Sequence, residues 1–129
     1  MPIELLCLLV LALWSLFLNH LPALARLSKA GVEWGLSNRD SMPEVPAWVG
    51  RADRAQRNHH DNLAMIAAIL LMAVVLDKTD AVTQIAALVI LAGRLAHGVF
   101  YIAGIGLLRS LSYAISILAL FAVVWRLFA

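Results

Sequence analysis

The sequence is short of charge: only 14% of its 129 residues are Asp, Glu, Lys or Arg. It has one cysteine, Cys7, which excludes an internal disulfide and a cysteine-based metal site. Cys7 lies in an apolar run and reads as a small packing residue. The start, MPIELLCLLVLALWSLFL, lacks the basic opening and small-residue cleavage site of a secretory leader, so it is expected to be a retained first helix. Internal repeats and low-complexity tracts are missing. The net charge of +2 comes with no basic tail or stripe, which excludes a nucleic-acid binder. No glutamate lies deep in an apolar run, since Glu4 stands near an end, and compact four-helix exporters want such a residue.

Apolar residues are what the chain has in excess. They make up 63% of it, and the mean hydropathy is +0.87. Soluble domains sit at about 45–50% apolar. A single domain this small has too much surface to hide the surplus, so the surplus must face lipid. A spanning helix needs roughly 20 apolar residues. Four segments qualify, at about residues 2–27, 47–76, 81–103 and 107–128, giving an all-α, four-helix integral membrane bundle as one domain over 1–129. The stretch from Ser28 to Gly50, with Gly31, Gly35, Pro43 and Pro46, reads as a loop. His20, near Pro22, reads as an interfacial residue at the end of the first helix. Helix two is unusual, because its polar half, Gly50 to Asn62, runs without a breaker into the apolar run Leu63 to Leu76. That half cannot stand bare in lipid, so an oligomer is expected.

Lys and Arg concentrate on one side. Arg26, Lys29, Arg39, Arg51, Arg54, Arg57 and Arg109 flank the first loop and the third turn, while Lys78 and Arg126 lie opposite. The basic side is therefore expected to be cytoplasmic, with both termini on the other side.

Charged residues inside spans are costly and by default mark function. Three groups stand out. On helix two, Arg51, Arg54, Asn58 and Asp61 are spaced three, four and three, within an arc of about 80°. Arg57 lies just off that stripe. Guanidiniums, an amide and a carboxylate suit an anionic, peptide-like ligand; a solvated helix extension with intrahelical ion pairs accounts for the same spacing. His59 and His60 are adjacent, point to different sides and make no zinc pair, so no metal is expected. On helix three, Arg94, His97 and Tyr101 share one face. Arg94 reads as structural, with Asp61 as its candidate partner. At the start of helix four, Arg109, Ser110 and Tyr113 fall where free N–H groups and the helix dipole favour an anion such as a thiolate, phosphate or carboxylate; a positive-inside anchor is the plainer account of Arg109. All three groups lie at the same depth, which points to one shared polar cavity.

The run RADRAQRNHHDN resembles the helix-two signature of the MAPEG family, the membrane-associated proteins in eicosanoid and glutathione metabolism. GRLAHGVFYIAG and LLRSLSY resemble that family's third- and fourth-helix motifs, and SNRD in the first loop is similar to what many bacterial members carry. The resemblance covers about residues 48–113, with matching hydropathy over the whole chain, and it implies a homotrimer with glutathione between subunits on the cytoplasmic side. It implies that Arg54, Arg57, Asn58 and Asp61 bind the peptide. His97 and Tyr101 would line the site, with Ser110 and Tyr113 beside the thiol and Arg109 activating it against a lipophilic substrate from the membrane. For a bacterial-type member the expected location is the inner membrane. Asp61 stands where several members have Glu, the turn before Arg109 looks short, and Arg26 and Lys29 are the two candidates for a basic residue some members use on helix one. A membrane protein that holds a lipid headgroup or other anion in the same cavity without catalysis is the competing expectation.

Overall fold

A computed structural model describes residues 1–129. Four helices follow in order: α1 (Ile3–Leu36), α2 (Ala47–Val75), α3 (Ala81–Ala103) and α4 (Gly106–Phe128). Each is long and apolar enough to cross a membrane, so the chain fits a multi-pass integral membrane protein. At about 1.5 Å per residue, α3 and α4 are roughly 35 Å long, enough for a hydrocarbon core of about 30 Å. α1 packs on α2 and α3, and α4 packs on α3 and α2. A core that includes Leu11, Ile66, Leu70, Ile90, Leu120 and Val123 joins all four. Leu13, Leu16, Ile85, Leu88, Leu118 and Phe121 point outward, as lipid-facing residues should.

The first helix corrects the sequence expectation. It does not stop near Leu27 but runs to Leu36, and the loop shrinks to residues 37–46. Gly31 interrupts the helix at φ 86, ψ 168, a region open essentially to glycine alone, so one residue breaks the geometry and the helix resumes beyond it. His20 accordingly lies within α1, where its Nδ1–H donates to the Leu16 carbonyl at 2.8 Å. Polar contacts fasten α1 to α2 along their length: His59 to the Leu11 carbonyl, Ser15 to His60, Gln56 to Asn19 and Arg26 to Asp53. Such bonds hold spanning helices together where no hydrophobic force acts between them.

The α3–α4 hairpin is the closest pair. Gly104 caps α3 at φ 81, the left-handed conformation that ends a helix. Gly93 lets the two backbones meet, since a Cβ there would lie 2.9 Å from the Ser112 carbonyl oxygen. Ser112 and Ser116 spend their hydroxyls on α4's own carbonyls, so this small-residue seam carries no unpaired donor.

The end bearing the termini is tied by a second set of contacts. Asp80 caps α3, accepting from the Val82 and Thr83 N–H groups while Thr83 Oγ1 accepts from the Asp80 N–H. Arg126 of α4 donates through Nε to Asp80 Oδ2 at 2.8 Å. Thr83 donates in turn to Glu4 of α1 at 2.6 Å. Glu4 is near a helix end, as its position in the chain implies, yet it is wholly buried. The hydrogen bond from Arg126, followed by that from the Thr83 N–H, holds the Asp80 carboxyl below its ordinary value. A depressed carboxyl stabilises the fold above its unfolded value of about 3.9 and loses that contribution as pH falls through the lower folded value. Asp80→Asn should therefore melt below the wild type at pH 7 in detergent, and the two melting curves should converge below about pH 4 as Asp80 takes up its proton.

Candidate functional site

The polar half of α2 meets the C-terminal half of α3 and the start of α4 at the loop end of the bundle. Between them lies a cavity of about 290 Å³ lined by Asn58, His97, Tyr101, Arg109, Ser110 and Tyr113. These six residues come from the three groups noted in the sequence.

Arg94 sets the α2–α3 contact behind the cavity. It is 1% exposed. Its Nη2 donates to both the main-chain and side-chain oxygens of Asn58, at 3.2 and 2.9 Å. Its guanidinium also lies 5.7 Å from the centre of the Tyr113 ring. The expected partner, Asp61, is not the one found; it is exposed and makes no ion pair. Three residues of helix amount to about 300°, so Asp61 is turned about 60° from Asn58 and looks outward rather than at α3. With its oxygen held by Arg94, Asn58 has its Nδ2 group left to offer as a donor.

His97 sets the α3–α4 contact. Its Nδ1 lies 2.9 Å from the Arg109 carbonyl, and since a carbonyl only accepts, Nδ1 carries the proton. This bond fixes the first turn of α4, and with it Arg109. The rings of Tyr101 and Tyr113 flank His97 at 5.5 and 5.6 Å. The Arg109 guanidinium lies over Tyr101 at 4.8 Å. The chain's two ion pairs, Arg26–Asp53 and Arg126–Asp80, lie elsewhere, so no carboxylate neutralises Arg109. Ser110 donates to the Gly106 carbonyl. Tyr113 lies 3.4 Å from Asn62 Oδ1, and Asn62 donates back to the Asn58 carbonyl.

The other sequence candidates fall outside this cavity. Arg54 borders a smaller one beside it, together with Arg51 and Arg109. Arg57 and Asp61 are exposed on the outer face of α2 and line neither. Of the two basic candidates on α1, Arg26 is taken up by Asp53, with Nη1 to Oδ1 at 3.0 Å. Lys29 remains, beside a mostly apolar cavity of about 450 Å³ between α1 and α2. Sequence reasoning passed over Asn62, whose only signal was its place one turn beyond Asn58. Arg51 stood on the helix-two stripe but outside the residues singled out by resemblance. Its Nε donates to the Ile102 carbonyl at 2.8 Å, a cation closing the C-terminus of α3.

The family model for MAPEG matches residues 5–129, nearly the whole chain. The chain belongs to the MAPEG family. No curated protein and no solved structure matches it. Membership fits a membrane protein of glutathione and eicosanoid metabolism. The three sequence motifs that resemble this family thus sit on α2, α3 and the start of α4, around one cavity.

Removing Arg94 leaves the Asn58 side chain without its buried partner, a loss of about 1–3 kcal/mol. Arg94→Ala should lower the melting temperature in detergent. An unchanged melting temperature would show that the α2–α3 contact does not depend on this grip.

Proposed function

We propose that this MAPEG chain is a glutathione-dependent membrane enzyme of the transferase or peroxidase type. The observation that carries the reading is the Arg109 guanidinium. It has no carboxylate partner, rests on Tyr101, and stands at a cavity to which Asn58 Nδ2 and the Tyr101 hydroxyl add donors, with no acid in its lining. That donor set suits an anionic peptide.

A free thiol titrates near about 8.5 and is mostly protonated at neutral pH; an adjacent cation lowers that value. Arg109 stabilises the glutathione thiolate. The sulfur forms a bond to an electrophilic carbon of a lipophilic molecule arriving from the membrane, and the leaving group departs with its electron pair. With a hydroperoxide, the sulfur takes one oxygen as the O–O bond breaks, releasing an alcohol. A second glutathione then displaces water from the sulfenic acid and leaves the disulfide. Asn58 holds a peptide oxygen through its Nδ2 group. Neither path uses a protein cysteine, in keeping with Cys7 at the far end of α1.

Arg54, Arg57 and Asp61 hold the charged ends of the peptide in this reading, although Arg57 and Asp61 lie on the outer face of α2. That geometry calls for a site completed between subunits of a homotrimer. Asp61, Ala64, Ala68, Leu71 and Val75 are all exposed and spaced three, four, three and four. This seam repeats every seven residues, with small residues where helices approach closely. Three α2 helices meeting along it pack their apolar halves together and bring Asp61, at the edge of the polar half, to the same axis. The arginine-rich end faces the cytoplasm of a bacterial inner membrane by the distribution of Lys and Arg.

Two experiments test the reading. Glutathione added to the detergent-purified protein near neutral pH should raise the thiolate ultraviolet absorbance, whereas S-methyl glutathione should not. Arg109→Ala should cut that signal and the turnover of a model electrophile by roughly tenfold or more. No signal and no binding of either peptide by calorimetry would overturn the enzyme reading in favour of an anion-binding membrane protein. Ala68→Trp should convert the trimer to smaller species in analytical ultracentrifugation; an intact trimer would move the interface off this seam.

A further inference from the structure

The smaller cavity holds more positive charge than the glutathione reading uses: Arg51 has no part in that reading, and Arg54 and Arg109 stand beside it. It measures about 130 Å³ and is lined by Arg51, Arg54, Tyr101, Gly104, Gly106 and Arg109 together with Phe100. Three guanidiniums therefore surround a space worth roughly four waters at about 30 Å³ each. No carboxylate lines it, and both ion pairs of the chain lie elsewhere.

Two of the three arginines, Arg51 and Arg109, are held rather than loose. Arg51 is fixed by its Nε bond to the Ile102 carbonyl, which leaves its two terminal nitrogens free. It lies against Gly104, where a Cβ would come within 3.3 Å of Arg51 Nε, so the turn leaves room for this arginine because residue 104 has no side chain. Arg109 is fixed through its backbone, by His97, and through its ring contact with Tyr101. Between them α4 begins. Its first main-chain bond runs from the Arg109 N–H to the Ile105 carbonyl, and the residue before the helix, Ile105, offers no side-chain cap. The N–H groups of Gly106, Leu107 and Leu108 thus precede the first helical bond, and Gly106 borders the cavity. Guanidinium forks and uncapped helix N–H groups both favour a compact oxyanion, and phosphate suits the forks best. The turn lies at the end of two spanning helices, at the depth where headgroups begin.

We propose that the Arg51–Arg54–Arg109 cavity is a phosphate-binding site that adjoins the peptide site, shares Arg54, Arg109 and Tyr101 with it, and is set apart by Arg51. The group bound is a phosphate ester of a phospholipid headgroup or a free phosphate. The site does not depend on glutathione chemistry.

The test uses the full-length protein in a neutral detergent. Inorganic phosphate and the short-chain lipid dihexanoyl-phosphatidylglycerol are titrated by calorimetry, with dihexanoyl-glycerol as the phosphate-free control. Arg51→Gln and Arg51→Lys are compared, the lysine variant keeping a cation at the end of α3 should the glutamine variant fail to fold. Saturable binding of either phosphate probe is expected, at least fivefold weaker in the variants, while S-methyl glutathione binding changes less than twofold. Binding of both probes identifies the phosphate group itself as the ligand. Binding of the lipid alone identifies the headgroup, and binding of inorganic phosphate alone a free anion. Phosphate binding without peptide binding would support this site while overturning the glutathione reading. No saturable binding of either probe, or binding unaltered in a folded Arg51→Lys protein, would overturn the proposal.

Discussion

A guanidinium inside a spanning bundle is costly, because no water repays its lost hydration, and Arg94 offsets that cost only through Nη2, its Nε and Nη1 being buried without partners. The arrangement around Arg94 follows from that constraint. Its hydrogen bonds to both oxygens of Asn58 join α3 to α2 at one depth and in one register. Next along α3, His97 holds the first turn of α4 by its carbonyl. Two side chains three residues apart on one helix therefore place the other two walls of the cavity. Arg109 inherits its position from this chain of contacts.

The termini-bearing end solves the same problem differently. There Asp80, Thr83, Glu4 and Arg126 link three helices through one helix cap. A carboxylate and a guanidinium at the edge of the bundle can pair directly. Inside the bundle, near the cavity, an amide takes the place of the acid, and the cavity is left with donors in excess. That excess, rather than any single arginine, marks the loop end as a place for anions.

Much of this was legible in the sequence for simple reasons. Four apolar runs of spanning length have few alternatives, and helical spacing assigns His97 and Tyr101, or Arg109 and Tyr113, to shared faces. Spacing says which face a residue occupies but not which neighbour that face meets. Asp61 therefore looked as good a partner for Arg94 as Asn58, and charge favoured it wrongly. Gly31 looked like a stop because glycine commonly ends helices, yet a single glycine can be crossed when the helix on its far side holds its own bonds. The burial of Glu4 was invisible, since it depends on Thr83, which lies 79 positions away. The sequence put Arg51, Arg54 and Arg109 around one shared cavity, but not in a compartment of their own, which forms only when the α3–α4 turn brings Arg109 beside two residues of α2.

The way Asn58 is held has a consequence for molecules made to occupy this cavity. Arg94 grips its oxygen, so the amide cannot swing round to receive a proton from an incoming compound without surrendering a buried contact. A compound carrying a hydrogen-bonding group at that point has to present a lone pair there. A matched pair of compounds differing only in ether against methylene at that position would then rank in one fixed order, set from behind the cavity by a residue neither compound touches.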